Sequence, residues 1–268
     1  MADQGLAGAD EARARAGDAR VGKKLAAEVS PPLEQFVVKP LVPIHIGGLD
    51  LSYTNAALLM TIVVALIMVL LLVPTRRAAL VPTRLQSVAE LAYEFVANMV
   101  RENVGHDGFE YFPLVFSIFM FILFANFIGL IPYSFTITGQ IAVTFGLAIF
   151  VFVLVTIIGV VRHGFHFLHL FFPPGAPVFM APVLVPIEII SYLSRPVSLG
   201  IRLFANMMAG HTMMAVFAGF TITLGLFGFL PIAINVAMFA LEIIVCALQA
   251  YVFTILTCLY LRDAIHLH

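Results

Sequence analysis

Five ionisable side chains stand in the C-terminal part of this 268-residue chain where nearly every neighbour is apolar: Glu188, Arg195, Arg202, His211 and Glu242. Asn206, Asn235 and Gln249 are their uncharged polar companions, and apart from Arg195 and Arg202 no lysine or arginine lies between Arg162 and Arg262. Inside a bilayer an ionisable group costs at least ~2.5–3.5 kcal/mol at a helix centre, so each is a functional candidate. Their spacing carries information. Seven residues turn a helix by only ~20° off register, so Glu188, Arg195 and Arg202 share one stripe, with Asn206 a turn beyond. Glu242 and Gln249, also seven apart, form a second. Two such stripes can line a common wet path for an ion.

Arg202 is the sharpest case. A guanidinium stays protonated at physiological pH, so it serves as a fixed positive fence or as a carboxylate's partner, never as a proton carrier. Glu188 lies about 21 Å away along one straight helix, too far to be that partner. The small residues Gly200, Ala205 and Ala209 allow another backbone to approach, so a carboxylate on a different polypeptide is expected. Competing readings are plainer: a structural ion pair for Arg202, a satisfied interior histidine for His211, a neutral buried acid for Glu242. Arg195, beside Pro196, is expected to snorkel to headgroups. Asn126 is expected to make an interhelical hydrogen bond, and His163, His166 and His169 lack a metal-binding pattern. Cys246 and Cys258 are twelve apart in one apolar segment, roughly 18 Å on a helix, beyond disulfide reach.

The elements that must position these groups are membrane spans. At 62% hydrophobic and 11% charged, with mean hydropathy +1.05, the chain falls far below the ~25% charge of a soluble domain. Its net charge of −1 offers no basic surface to nucleic acid. The fold class expected is an all-α polytopic membrane protein, with spans at about 55–74, 112–131, 141–161, 183–217 and 231–261. The last two are roughly 50 and 45 Å long against ~30 Å of hydrocarbon, so they must tilt strongly or bend. Residues 85–104 carry Leu85, Val88, Leu91, Phe95, Val96 and Met99 at helical spacing with Glu90, Glu94, Arg101 and Glu102 on other faces, an amphipathic interfacial helix. Residues 1–40 read as a poorly ordered extramembrane tail and 41–268 as the membrane domain. Arg76, Arg77, Arg84, Arg101, Arg162 and Arg262 all fall on one side of the five alternating spans. The positive-inside rule makes that side cytoplasmic and places the N-terminus outside.

The stretch "RPVSLGIRLFANMMAGH" ending at His211 resembles the hallmark of subunit a of the F-type ATP synthase membrane sector. "FANFIGLIP", "VPIEIIS" and "LEIIVCALQAYVFTILTCLYL" match it too, and the similarity runs from about Leu33 to Leu261. The resemblance implies a non-catalytic stator subunit of a bacterial inner-membrane complex, without a cofactor or metal. Its partners would be a rotating ring of c subunits, peripheral-stalk b-type subunits and the lipid bilayer. Arg202 would face the ring's proton-carrying carboxylate and separate two offset aqueous half-channels. His211 and Glu242 would belong to the outer one, Glu188 to the cytoplasmic one, with Asn206 and Gln249 near Arg202. Some bacterial members carry Glu and His in the reverse order at the positions of His211 and Glu242, so the pair looks chemically reciprocal. Imidazole suits proton exchange at ambient pH.

Two other classes compete. A self-contained proton-coupled secondary transporter would need broken helices and a symmetrical repeat around a substrate site, and neither is evident. An intramembrane enzyme would need a nucleophile with its base, an HExxH motif or paired aspartates, which the sequence does not present.

Overall fold

The computed structural model describes residues 36–42, 45–46, 49–50, 52–75, 82–131, 134–164, 167 and 178–266. The expectations for most of the N-terminal tail and for Arg76, Arg77, His166 and His169 lie outside these residues. Helix α1 (Asn55–Thr75) begins where Thr54 Oγ1 accepts from the Ala57 N–H, a first-turn cap. Asn55 ties down the chain before it: its Oδ1 accepts from the Lys39 N–H and its Nδ2 donates to the Val37 carbonyl. A short ribbon precedes the helix, β1 (Pro40–Val42) pairing with β4 (Tyr53–Thr54) around the hairpin of β2 (His45–Ile46) and β3 (Leu49–Asp50). Hydropathy did not announce it, because so few residues carry no periodic signal.

Helix α2 (Arg84–Asn103) is capped by Thr83, whose hydroxyl accepts from the Gln86 N–H. Its apolar face is divided. Val96, Ala97, Met99 and Val100 are buried, whereas Leu85, Val88, Leu91 and Phe95 stand exposed. The exposed half is the ridge an interfacial helix offers to lipid. Gly105, at φ 87°, turns the chain into a short 3-10 helix (His106–Tyr111).

Helix α3 (Phe112–Gly129) is the centre of the molecule: half of its apolar stretch is buried, against 11% for α1. Val115, Phe119, Met120 and Ile122 share a core with Ala148 and Val151 of α4 (Ile141–His163). Leu199 and Leu203 of α5 (Ala181–Thr223) and Phe253 and Leu261 of α6 (Phe229–Ile265) complete it. Gly164, at φ 58°, ends α4 by donating its N–H to the Val160 carbonyl.

Five of these helices, α2 excepted, are long and apolar enough to cross a membrane, so the fold is an all-α polytopic membrane architecture. The last two exceed their apolar runs, with 43 and 37 residues, or roughly 65 and 55 Å. Local chemistry explains the extensions. Thr221 and Thr223 return their hydroxyl protons to carbonyls one turn back, so the polar end of α5 stays helical. Arg262 and Asp263 remain within α6, the latter paired to α5. Pro186 and Pro196 lie inside a continuous α5, although each removes one ladder donor.

Gly200 brings α5 onto α4: a Cβ there would lie 3.1 Å from Phe145 Cα and 3.3 Å from the Thr144 carbonyl oxygen. Backbone cannot yield as a side-chain tip does, so Gly200→Val should cost about 1–3 kcal/mol by overpacking. Less folded protein and a lower thermal midpoint are expected in detergent. Gly219→Ala, with nothing within 4 Å of the new methyl, should leave both unchanged; equal behaviour of the two variants would refute the close-packing account.

Candidate functional site

Helical periodicity divides α5 into two faces. Pro196, Leu199, Gly200, Leu203, Met207 and His211 are buried, and Ser198, Arg202, Ala205 and Ala209 are exposed. The buried row meets the row of α6 that contains Glu242, Cys246, Gln249 and Phe253. Two of the expected site pairs come together across this seam. Asn206 Nδ2 donates to Gln249 Oε1 at 2.9 Å. His211 Nε2 lies 3.9 Å from Glu242 Oε1, both side chains about 95% buried.

Helix α3 closes the seam. Asn126 Nδ2 donates to the Cys246 carbonyl at 3.2 Å, the interhelical bond expected of it. Asn126, Asn206, Glu242 and Gln249, with Leu203, Met207, Val245 and Cys246, line a small cavity with about 10 Å³ of room for water centres. That is near the threshold for one water. Four polar atoms of these side chains are buried without a hydrogen-bond partner among the described groups: Asn126 Oδ1, both carboxylate oxygens of Glu242, and Gln249 Nε2. A buried polar atom left unpaired costs ~1–3 kcal/mol, so these groups do not stabilise the seam. Gly210 permits it: an added Cβ would fall 2.3 Å from Glu242 Oε1.

The other expected residues stand apart. Arg202 is exposed one turn before Asn206, at the edge of the seam, and no carboxylate lies within 4.0 Å of it among the described residues. Glu188 is half-buried near the start of α5, a further fourteen residues from Arg202. Of the three small residues near Arg202, Gly200 is used up against α4, while Ala205 and Ala209 remain uncovered.

Arg195 corrects the sequence reading. Instead of snorkelling free, it donates to Asp263 Oδ2 at 2.9 Å and lies over the rings of Tyr192 and Tyr260. Helix packing decides this, since Asp263 is 68 residues away. Its acidic type at the end of an apolar run was the only available signal. Sequence reasoning also passed over the surroundings of His211. Thr136 Oγ1 lies 3.5 Å from His211 Nε2, and the Phe36 ring meets the imidazole edge-on with centroids 6.1 Å apart. Neither residue is ionisable, so neither stood out.

The chain matches the family model described as ATP synthase A chain over residues 57–262. It is 55% identical over 238 residues to ATP synthase subunit a of Rhodospirillum rubrum, covering 88% of this chain and 99% of that one. To ATP synthase subunit a of Parvibaculum lavamentivorans it is 56% identical over 242 residues, 88% and 93% of the two chains. The same protein of Mesorhizobium japonicum is 53% identical over 249 residues, 90% and 99% of the two. Matched over nearly their whole length, and built of the same apolar helices its composition demands, this chain belongs to the ATP synthase A chain family, that of subunit a of the F-type membrane sector.

Proposed function

We propose that this chain is the proton-conducting stator of a bacterial inner-membrane ATP synthase, non-catalytic by itself, with its N-terminus outside and its C-terminus in the cytoplasm. It would sit beside a ring of carboxylate-bearing c subunits and hold peripheral-stalk b-type subunits. One observation carries the reading: Arg202 is an exposed guanidinium on an apolar helix, unpaired among the described residues and flanked by Ser198, Ala205 and Ala209. Small flanking residues let a partner helix come close. A charge that cannot be discharged on such a surface needs a carboxylate from another chain.

The chemistry follows. A fixed cation favours the ionised form of a ring carboxylate nearby, so that carboxylate sheds its proton before passing Arg202. The same charge repels a proton leaking straight between the two sides. His211 and Glu242 are assigned to the outer half-channel and Glu188 to the cytoplasmic one, with Asn206 and Gln249 bordering Arg202. Each proton crossing 100 mV contributes ~2.3 kcal/mol, delivered as rotation.

Cross-linking tests the docking face. Ala205, on α5 beside Arg202, is exposed, as is Val153 on α4 at 46%. In the assembled complex, Ala205→Cys, on the exposed face beside Arg202, should form a disulfide with a cysteine placed beside the ring carboxylate, and Val153→Cys should not. Equal yields from both positions would overturn the assignment of this face to the ring.

A further inference from the structure

We propose that Thr136 is a relay hydroxyl that delivers protons to His211 from the outer side, a step that rests on the proton-path role proposed for His211 and Glu242. Thr136 is fully buried in the segment between α3 and α4, yet its Oγ1 reaches His211 Nε2 at 3.5 Å. The Glu242 carboxylate faces the same nitrogen from the opposite partner helix, at 3.9 Å. One ring atom is therefore shared by two oxygen groups, a hydroxyl from the loop side and a carboxylate from α6.

Two further features fix this geometry. The Thr136 methyl is wedged against Gly129, where an added Cβ would lie 3.0 Å from Thr136 Cγ2. That leaves the hydroxyl turned to the imidazole. The Phe36 ring stands edge-on to His211. It is held there by Gln140 Nε2, which donates to the Phe36 carbonyl at 2.5 Å, and by Gly139, whose missing Cβ gives the ring its place. An aromatic ring carries no exchangeable proton, and the Gly129 backbone that also bonds the imidazole supplies none, so among the described residues the Thr136 hydroxyl is the exchangeable group on the loop side.

The step balances. His211 Nε2 forms an N–H bond as the Thr136 O–H bond breaks, while Oγ1 takes a proton from hydronium on the outer side. The N–H bond then breaks as Glu242 Oε1 forms an O–H bond, after the pair closes from 3.9 Å to the roughly 2.7–3.2 Å of a hydrogen bond. Thr136 and His211 return to their starting forms, and one proton has moved to Glu242.

Passive proton flux through the complete membrane sector, in vesicles stripped of the catalytic head, tests this. Thr136→Val keeps the shape and removes the hydroxyl, and should slow flux roughly 10-fold, a modest share of what positioned proton-transfer groups supply. Thr136→Ser should restore it. Wild-type flux in Thr136→Val, or equal slowing in the serine variant, would overturn the relay. If the valine variant does not assemble, Thr136→Cys decides, made in a Cys246→Ser background because Cys246 lines the seam: silver ion added from the outer side should block its flux and spare the Cys246→Ser protein. Silver-insensitive flux in that variant overturns the proposal. Glu242→Leu, run alongside, separates the two levels: if it conducts normally the proton-path reading fails, and if it alone is blocked only the Thr136 step fails.

Discussion

Arg202→Ala should abolish proton-driven ATP synthesis in membrane vesicles while the complex still assembles in normal amount. The two halves of this expectation have separate physical grounds. Assembly should survive because Arg202 makes no ion pair within 4.0 Å among the described residues and lies on an exposed face. Its removal leaves no described group of this chain unpaired and lifts a charge that costs at least ~2.5–3.5 kcal/mol in the bilayer. Synthesis should be lost because Arg195, on the same stripe, is already paired with Asp263, which leaves this guanidinium as the fixed positive charge free to meet a ring carboxylate. Without it nothing favours the ionised ring carboxylate, and nothing prevents protons from crossing without rotation. Arg195→Ala makes the contrast: it breaks the 2.9 Å contact with Asp263, and should weaken folding slightly, since a partly exposed ion pair is worth ~0.2–1 kcal/mol, with synthesis retained. Normal synthesis in Arg202→Ala would sink the functional assignment.

Glu242→Leu should slow proton passage through the membrane sector by roughly 10²-fold or more, the scale of a lost positioned proton carrier. Its effect on stability should run the other way. Both carboxylate oxygens are buried without a hydrogen-bond partner among the described groups. A buried acid without a hydrogen-bond partner carries an unmet desolvation cost that leucine removes, while His211 keeps its contact with Thr136. The informative result is therefore a pair of measurements: flux down, thermal midpoint unchanged or raised. Cys258→Ala, deep in the core and away from the seam, should leave flux intact while lowering the midpoint. A Glu242→Leu protein that conducts normally would return Glu242 to a packing role.

The exceptional surface charge, the polar stripe on each long helix and the count of membrane helices were legible before any coordinates. They depend on residue type and on spacing within a single helix, which composition and a 3.6-residue period fix locally. The sequence also marked Asn126 as an interhelical donor, because an amide in an apolar helix has few other ways to satisfy itself. The ends of the long helices were less legible. Threonine hydroxyls and the Arg195–Asp263 pair carry α5 and α6 past their apolar runs, and those bonds are invisible to hydropathy.

Which groups meet was decided by tertiary structure alone. Nothing in the sequence states that Asn206 bonds Gln249, that Thr136 and Glu242 share one nitrogen of His211, or that Asp263 holds Arg195. These contacts join residues 31 or more positions apart, and they exist because Gly200 and Gly210 let backbone and carboxylate approach where any larger side chain would intervene. The same packing turns Arg202 outward while His211, nine residues on, turns inward. At 100° per residue those two positions lie on opposite sides of the helix. By itself the sequence determined that a costly charge is kept in the membrane; the fold decided that it stays exposed with no carboxylate within 4.0 Å among the described residues, because the seam between α5 and α6 was filled by the neighbouring row.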